Sequence, residues 1–276
     1  MDSYIIKKVL NNNVVIANKK GEEYVLVGKA IGFNTNKGKT ISENQIENIF
    51  IKQSKKNRDN FNKVLNKINN HIVGISEEII SLCEKELKVK LNESIHISLP
   101  DHINFAIIRT KEGIKIENPF YNEIQALYPL EFKLAKKALD MINTAFKINL
   151  PMDEAAFICM HIHAAVGDQN VGDTLAYTKK IGEVIEFLYN LLDVEIDKSS
   201  LTYIRTITHL NFMIDRVKNK KCIKNHLLDI IKKEYYNYYN IAIKVAIKIE
   251  NLFSIKIPED ELGYITLHIS RIKNYN

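Results

Sequence analysis

The chain has 276 residues, 46% hydrophobic and 26% charged, with a net charge of +6. That composition excludes a disordered or fibrous polymer, and at roughly 100–150 residues per domain the length favours two or three domains over a single core. Nothing after Met1-Asp2-Ser3-Tyr4 reads as a basic-then-apolar leader and no run of about 18 apolar residues is present, so neither export nor membrane insertion is expected. Cys83, Cys159 and Cys222 are far apart and form no C-x-x-C pair, which suits a reducing cytoplasm.

The charge is unevenly spread. Residues 1–60 hold 11 Lys and Arg against 6 Asp and Glu, whereas the other 216 residues hold 28 against 27. The excess therefore sits where the chain begins and would draw a polyanion there. Short β-branched runs occupy the same segment: Ile5–Leu10, Val14–Ala17, Tyr24–Val27 and Lys29–Phe33. Asn11-Asn12-Asn13, Lys19-Lys20-Gly21 and Gly28 supply turns between them, which predicts a small antiparallel sheet. About 50 residues bury little, so a partner, most simply an identical copy, is expected to complete its core. The polar stretch from Gln53 to Asn60 reads as a hinge into the rest of the chain.

Beyond the hinge the sequence repeats itself. Asp101-His102-Ile103-Asn104-Phe105 aligns with Thr208-His209-Leu210-Asn211-Phe212 at an offset of 107. Without a gap, that offset also aligns Pro151-Met152-Asp153-Glu154 through His161-Ile162 with Pro258-Glu259-Asp260-Glu261 through His268-Ile269. The economical explanation is two copies of one domain, 65–170 and 171–276. Apolar residues at helical spacing, as in Ala135–Ile142, predict that both copies are helical. Pro151 and Pro258 suit helix first turns, with the acids after them at the positive end of the dipole.

Of the 8 histidines, four pair under the offset, His102 with His209 and His161 with His268. Such residues either pack structurally or titrate, bind metal, catalyse or accept phosphate. His161-Ile162-His163 and Asp101-His102 are metal-type donor sets, but the second copy carries Ser270 and Thr208 in place of His163 and Asp101, so no metal is expected. There is no Gly-rich phosphate loop and no G-x-S-x-G, and Glu154 lies seven residues from His161, too far along a helix for an acid–base dyad; no catalytic residues or cofactor are expected. Phosphorylation fits better, because Ser98-Leu99-Pro100-Asp101 reads as a helix start that places His102 among exposed N–H groups.

With Lys8-Val9-Leu10-Asn11-Asn12-Asn13-Val14, Val27-Gly28-Lys29-Ala30-Ile31-Gly32-Phe33 and the two histidine blocks in view, the chain resembles antiterminators of the BglG/SacY/LicT type over essentially its whole length. The resemblance implies a small all-β antiparallel RNA-binding domain (1–57) followed by two homologous all-α helical-bundle domains, the regulation domains of the sugar phosphotransferase system. It implies a homodimer that binds an RNA hairpin, prevents an overlapping terminator from forming, and serves a sugar-utilisation operon of β-glucoside or sucrose type. Lys8, Asn13, Gly28, Lys29 and Phe33 match RNA-contacting positions: Asn13 to read base edges, Phe33 to stack, Lys8 and Lys29 to meet phosphates, and Gly28 to allow close approach. Some members carry Arg at position 29, whose planar fork Lys lacks. His102, His161, His209 and His268 match phosphorylated positions, served by the phosphocarrier protein and a sugar-specific enzyme II. Paired regulation domains also occur in DNA-binding activators, but those need a helix-turn-helix where residues 1–60 read as strands.

Overall fold

A computed structural model describes residues 3–51, 55–221 and 223–275. Five strands come first: β1 (Ser3–Val9), β2 (Val14–Lys19), β3 (Glu22–Val27), β4 (Thr40–Ser42) and β5 (Asn48–Ile51). They form one antiparallel sheet in the order β4-β1-β2-β3-β5. Alternation along the strands sends Tyr4, Ile6, Val15, Ala17 and Leu26 to one face, where they cluster with Ile31 and Ile41. Val14, Ile16 and Val25 point the other way and are equally buried.

Residues 29–33 do not form a strand. They are a run of turns, because Ala30 and Asn34 both take positive φ, 58° and 48°. Gly32 is held so close to the Asn11 carbonyl that a Cβ would lie 2.0 Å from it.

The rest is helical: α1 (Lys55–Lys67), α2 (Asn70–Leu87), α3 (Ile95–Lys111), α4 (Tyr121–Leu127), α5 (Pro129–Phe146), α6 (Asp153–Val166), α7 (Val171–Leu192), α8 (Leu201–Lys218), α9 (Leu228–Glu234), α10 (Tyr236–Phe253) and α11 (Glu259–Tyr275). The expected hinge from Gln53 to Asn60 is mostly the first turns of α1; Gln53 and Ser54 lie outside the described residues, as does Cys222. Among the described residues no helix is long and apolar enough to cross a membrane.

The 107-residue offset is carried into the backbone. α4 and α9 correspond end to end, as do α5 and α10, and the last pair each stop at a left-handed residue, Lys147 (φ 52°) and Ser254 (φ 54°). Pro151 and Pro258 stand just before α6 and α11 and contribute carbonyls, each accepting the amide of the following Glu154 or Glu261 at 3.0 Å. Asp153 Oδ1 accepts the Asn118 amide at 2.7 Å and Asp260 Oδ1 the Asn225 amide at 3.0 Å. One set of local contacts thus sets the same entry angle in both copies.

Two compact units result. The first holds residues 1–118 and 130–171, the second 119–129 and 172–276, so that α4 groups with the second unit. There Glu123 of α4, 1% exposed, accepts hydrogen bonds from the Tyr203 hydroxyl and Lys198 Nζ. Within the first unit, α2 packs on β2 and β3. Apolar surface on the second sheet face is therefore covered inside the chain.

Candidate nucleic-acid interface and histidine sites

The five expected RNA-contacting residues fall at one end of the sheet. Lys8 is the penultimate residue of β1, Asn13 precedes β2, Gly28 and Lys29 come directly after β3, and Phe33 lies in the turn that follows. Backbone hydrogen bonds lace these loops together: Gly28 N to Asn13 O at 2.9 Å and Gly32 N to Asn12 O at 2.9 Å. The Asn13 side chain is part of the lacing, since its Oδ1 accepts the Ala30 amide at 2.9 Å. Lys29 is exposed and Phe33 is 58% exposed, a large cost for an aromatic ring without a partner to cover it. Gly28 is required from within: a Cβ there would sit 2.3 Å from the Gln45 carbonyl.

The face is also occupied. Glu78 of α2 spans the asparagine loop, accepting from Asn11 Nδ2 at 2.6 Å and from Asn13 Nδ2 at 3.0 Å. Gly74, in the second turn of α2, makes the approach possible, for a Cβ there would lie 2.6 Å from Asn11 Nδ2. Lys8 Nζ donates to the Leu65 carbonyl at 3.5 Å. Sequence reasoning missed Glu78, and the one available signal was a glycine inside an otherwise strong helix.

A second seam joins sheet and helices nearby. Glu77, fully buried, meets His96 Nδ1 at 2.8 Å, and the His96 ring stands edge-on to Phe50 of β5 with centroids 4.7 Å apart. Burial would depress the His96 pKa, but the Glu77 carboxylate beside it outweighs that and raises it.

The paired histidines come together between corresponding helices, His102 with His161 across α3 and α6, and His209 with His268 across α8 and α11. Ring centroids are 4.9 Å apart in the first copy and 4.0 Å, stacked, in the second. α3 begins at Ile95 rather than near Ser98, and Pro100 lies inside it, so His102 sits in the body of the helix and not among free N–H groups. The amides before it are already hydrogen-bonded, for example Ser98 N to Ser94 O at 3.0 Å. Ser98 instead serves the other ring, its Oγ 3.2 Å from His161 Nδ1.

Each pair sits on an ion pair between a buried glutamate and a half-buried arginine that sequence reasoning passed over. Glu154, fully buried, bonds His102 Nε2 through Oε2 at 2.8 Å and Arg109 through Oε1 at 2.9 Å. In the second copy Arg216 takes both oxygens of Glu261, at 3.2 and 2.7 Å. Spacing along α6 gave no reason to look, because Glu154 pairs across the bundle rather than along its own helix. The signal was present in the aligned blocks, which match Arg109 with Arg216 and Glu154 with Glu261.

Burial, with the neighbouring ring, pushes His161 down to about 3 and His268 to about 4. His209 is lowered by burial and by Arg271, Arg205 and Arg216. Neutral imidazoles at physiological pH keep a lone pair, as a phosphoryl acceptor requires. His163 is separate, with Nδ1 on Glu131 Oε1 at 3.0 Å.

Comparison with known proteins finds two families along the chain. The CAT RNA binding domain family matches residues 4–59, and the PRD domain family matches twice, at 77–165 and 182–272. The transcription antiterminator LicT of Bacillus subtilis is 36% identical over 271 residues, 97% of this chain and 98% of its own length. The GlcT protein of Staphylococcus saprophyticus is 35% identical over 273 residues, 98% of this chain and 97% of its own. A crystal structure of GlcT CAT-PRDI, 42% identical, covers 59% of this chain and 98% of that one with a TM-score of 0.50.

Proposed function

The chain belongs to the RNA-binding antiterminators built from a CAT domain and two PRD domains, and on that premise we propose that it is switched by histidine phosphorylation. In this reading residues 1–57 of two identical chains bind an RNA hairpin upstream of a sugar-utilisation gene, of β-glucoside or sucrose type. The bound hairpin keeps a terminator from forming. Asn13 and Phe33 read unpaired bases while Lys8 and Lys29 meet phosphates, with Gly28 keeping the loop in shape. RNA must first displace Glu78 from the asparagine loop.

The regulation domains, 65–170 and 171–276, would respond to the phosphotransferase system in the cytoplasm. The observation that carries this is the recurrence, in both copies, of two imidazoles packed ring to ring over a buried glutamate paired with an arginine. A phosphoryl group adds about −1.5 to −2 charge and rearranges such a site. Enzyme II, idle when its sugar is absent, phosphorylates His102 or His161 and inactivates the protein; the phosphocarrier phosphorylates His209 or His268 and activates it.

A read-through reporter tests the assignment in cells with and without the phosphocarrier. His102→Ala or His161→Ala should give antitermination without inducer, and His209→Ala or His268→Ala should reduce it even with inducer. Equal, phosphocarrier-independent output from all four variants would return the histidines to a purely structural role.

A further inference from the structure

We propose that Glu154 is the positioning residue that makes His102, at Nδ1, the phosphoryl acceptor of the first regulation domain. This rests on the phosphorylation reading above and deepens it. Glu154 is fully buried on α6 and its two oxygens are divided between two partners, Arg109 and the His102 ring. A carboxylate held by a guanidinium only accepts, so the His102 nitrogen facing it at 2.8 Å, Nε2, must carry the ring proton. The lone pair of the neutral ring is then on Nδ1.

The same contact supports the product. When Nδ1 attacks phosphorus, the new N–P bond leaves positive charge on the ring, and the Nε2 proton is already shared with a carboxylate that stabilises it. No proton has to leave the ring. Arg109 adds a donor on the same helix face, since its Nε is buried with no hydrogen-bond partner among the described residues. His161 lacks these features: its Nδ1 is taken by Ser98 Oγ at 3.2 Å and no carboxylate backs its ring among the described residues.

The second copy has the same residues wired differently. Arg216 occupies both oxygens of Glu261. Among the described residues no hydrogen bond links Glu261 to His209, which instead stacks on His268. The nitrogen that Glu154 selects in one copy is therefore not selected in the other.

The test uses the full chain labelled with 15N-histidine and phosphoramidate as donor, whose P–N bond breaks with release of ammonia as the ring N–P bond forms. Long-range 1H–15N spectra, assigned with His102→Asn, should show His102 protonated at Nε2 before reaction and phosphorylated at Nδ1 after it. Free histidine in the same reaction gives the unbiased nitrogen ratio. Glu154→Gln should lower the rate at His102 by about tenfold or more and shift the product toward Nε2, because the amide no longer neutralises the ring. His102 protonated at Nδ1, phosphate on Nε2, or phosphate on His161 in place of His102 would each overturn the proposal. The wild-type spectra decide even if Glu154→Gln does not fold. Failure of the phosphotransferase proteins to act in the reporter cells would sink the functional reading while leaving these spectra as they are.

Discussion

Replacing Glu78 by alanine should make the full-length protein bind its RNA hairpin more tightly. The carboxylate accepts two side-chain hydrogen bonds, at 2.6 and 3.0 Å, from Asn11 and Asn13. Charge-assisted bonds contribute about 1.5–3 kcal/mol each when dry, and these part-buried ones nearer 1 kcal/mol. Together they hold the loop closed by about 2 kcal/mol, and every 1.4 kcal/mol is a tenfold change in the competent fraction. The dissociation constant at fixed salt should therefore fall by about tenfold to thirtyfold for Glu78→Ala, measured by filter binding or anisotropy on an antiterminator-type RNA hairpin. Gly74→Ala should act in the same direction, because its methyl would lie 2.6 Å from Asn11 Nδ2 and must push that flexible amide off the carboxylate. Unchanged or weakened binding in both variants would refute the idea that α2 masks the reading loop.

Asn13→Ala should weaken specific hairpin binding more than binding to an unrelated RNA, whereas Lys8→Ala should weaken both and flatten the salt dependence, which a salt titration against both RNAs resolves. Stability should decline on acidification through His161. Its folded pKa of about 3 lies below the ordinary 6.5, so between those values the unfolded chain takes up a proton that the folded chain refuses. That loss is present only below pH 6.5 and reaches about 2 kcal/mol at pH 5; His161→Gln should have a shallower decline in unfolding midpoint between pH 7 and 5, and an identical slope would contradict the assignment. His96 runs the other way, because its raised pKa makes the Glu77 contact a stabilising term at low pH that is lost as pH rises through the folded value. His96→Gln should accordingly flatten the part of the stability profile above pH 6.5.

Local pattern was a good guide where residues act on their neighbours in sequence. The turn at Asn11–Asn13 and the β-branched runs Val14–Ala17 and Tyr24–Val27 delimit β2 and β3, and the offset of 107 foretells that α9 repeats α4. It failed where geometry is set from a distance. β4 has three residues, too few to show a period, and exists because Tyr4 and Ile5 pair with Ile41 and Thr40. Residues 29–33 have strand composition but are pulled into a turn by Gly32 against Asn11 and by Asn13 capping Ala30. Pro100 suggested a helix start, yet α3 begins five residues earlier and accommodates the ring in its interior. Glu78 and Glu154 take their partners from a loop and from a second helix, so Gly74 and the matched Glu154/Glu261 and Arg109/Arg216 could mark them in sequence without showing what they bind.

The duplication also offers a way for the proposed phosphorylation to have two signs. At the positions that bring Arg205 and Arg271 to His209, the first copy has Ser98 and Ala164. The first histidine pair therefore has one arginine, Arg109, whose charge is already shared with the buried Glu154, so a phosphoryl group there would leave the site with net negative charge. The second pair faces Arg216, matched to Glu261, together with two exposed arginines whose charge lowers the His209 pKa. There the same group would neutralise cations and would draw Arg205 and Arg271 toward the ring. On the proposed reading, phosphorylation would thus loosen one copy and tighten the other through residues that differ between two otherwise matching helix pairs.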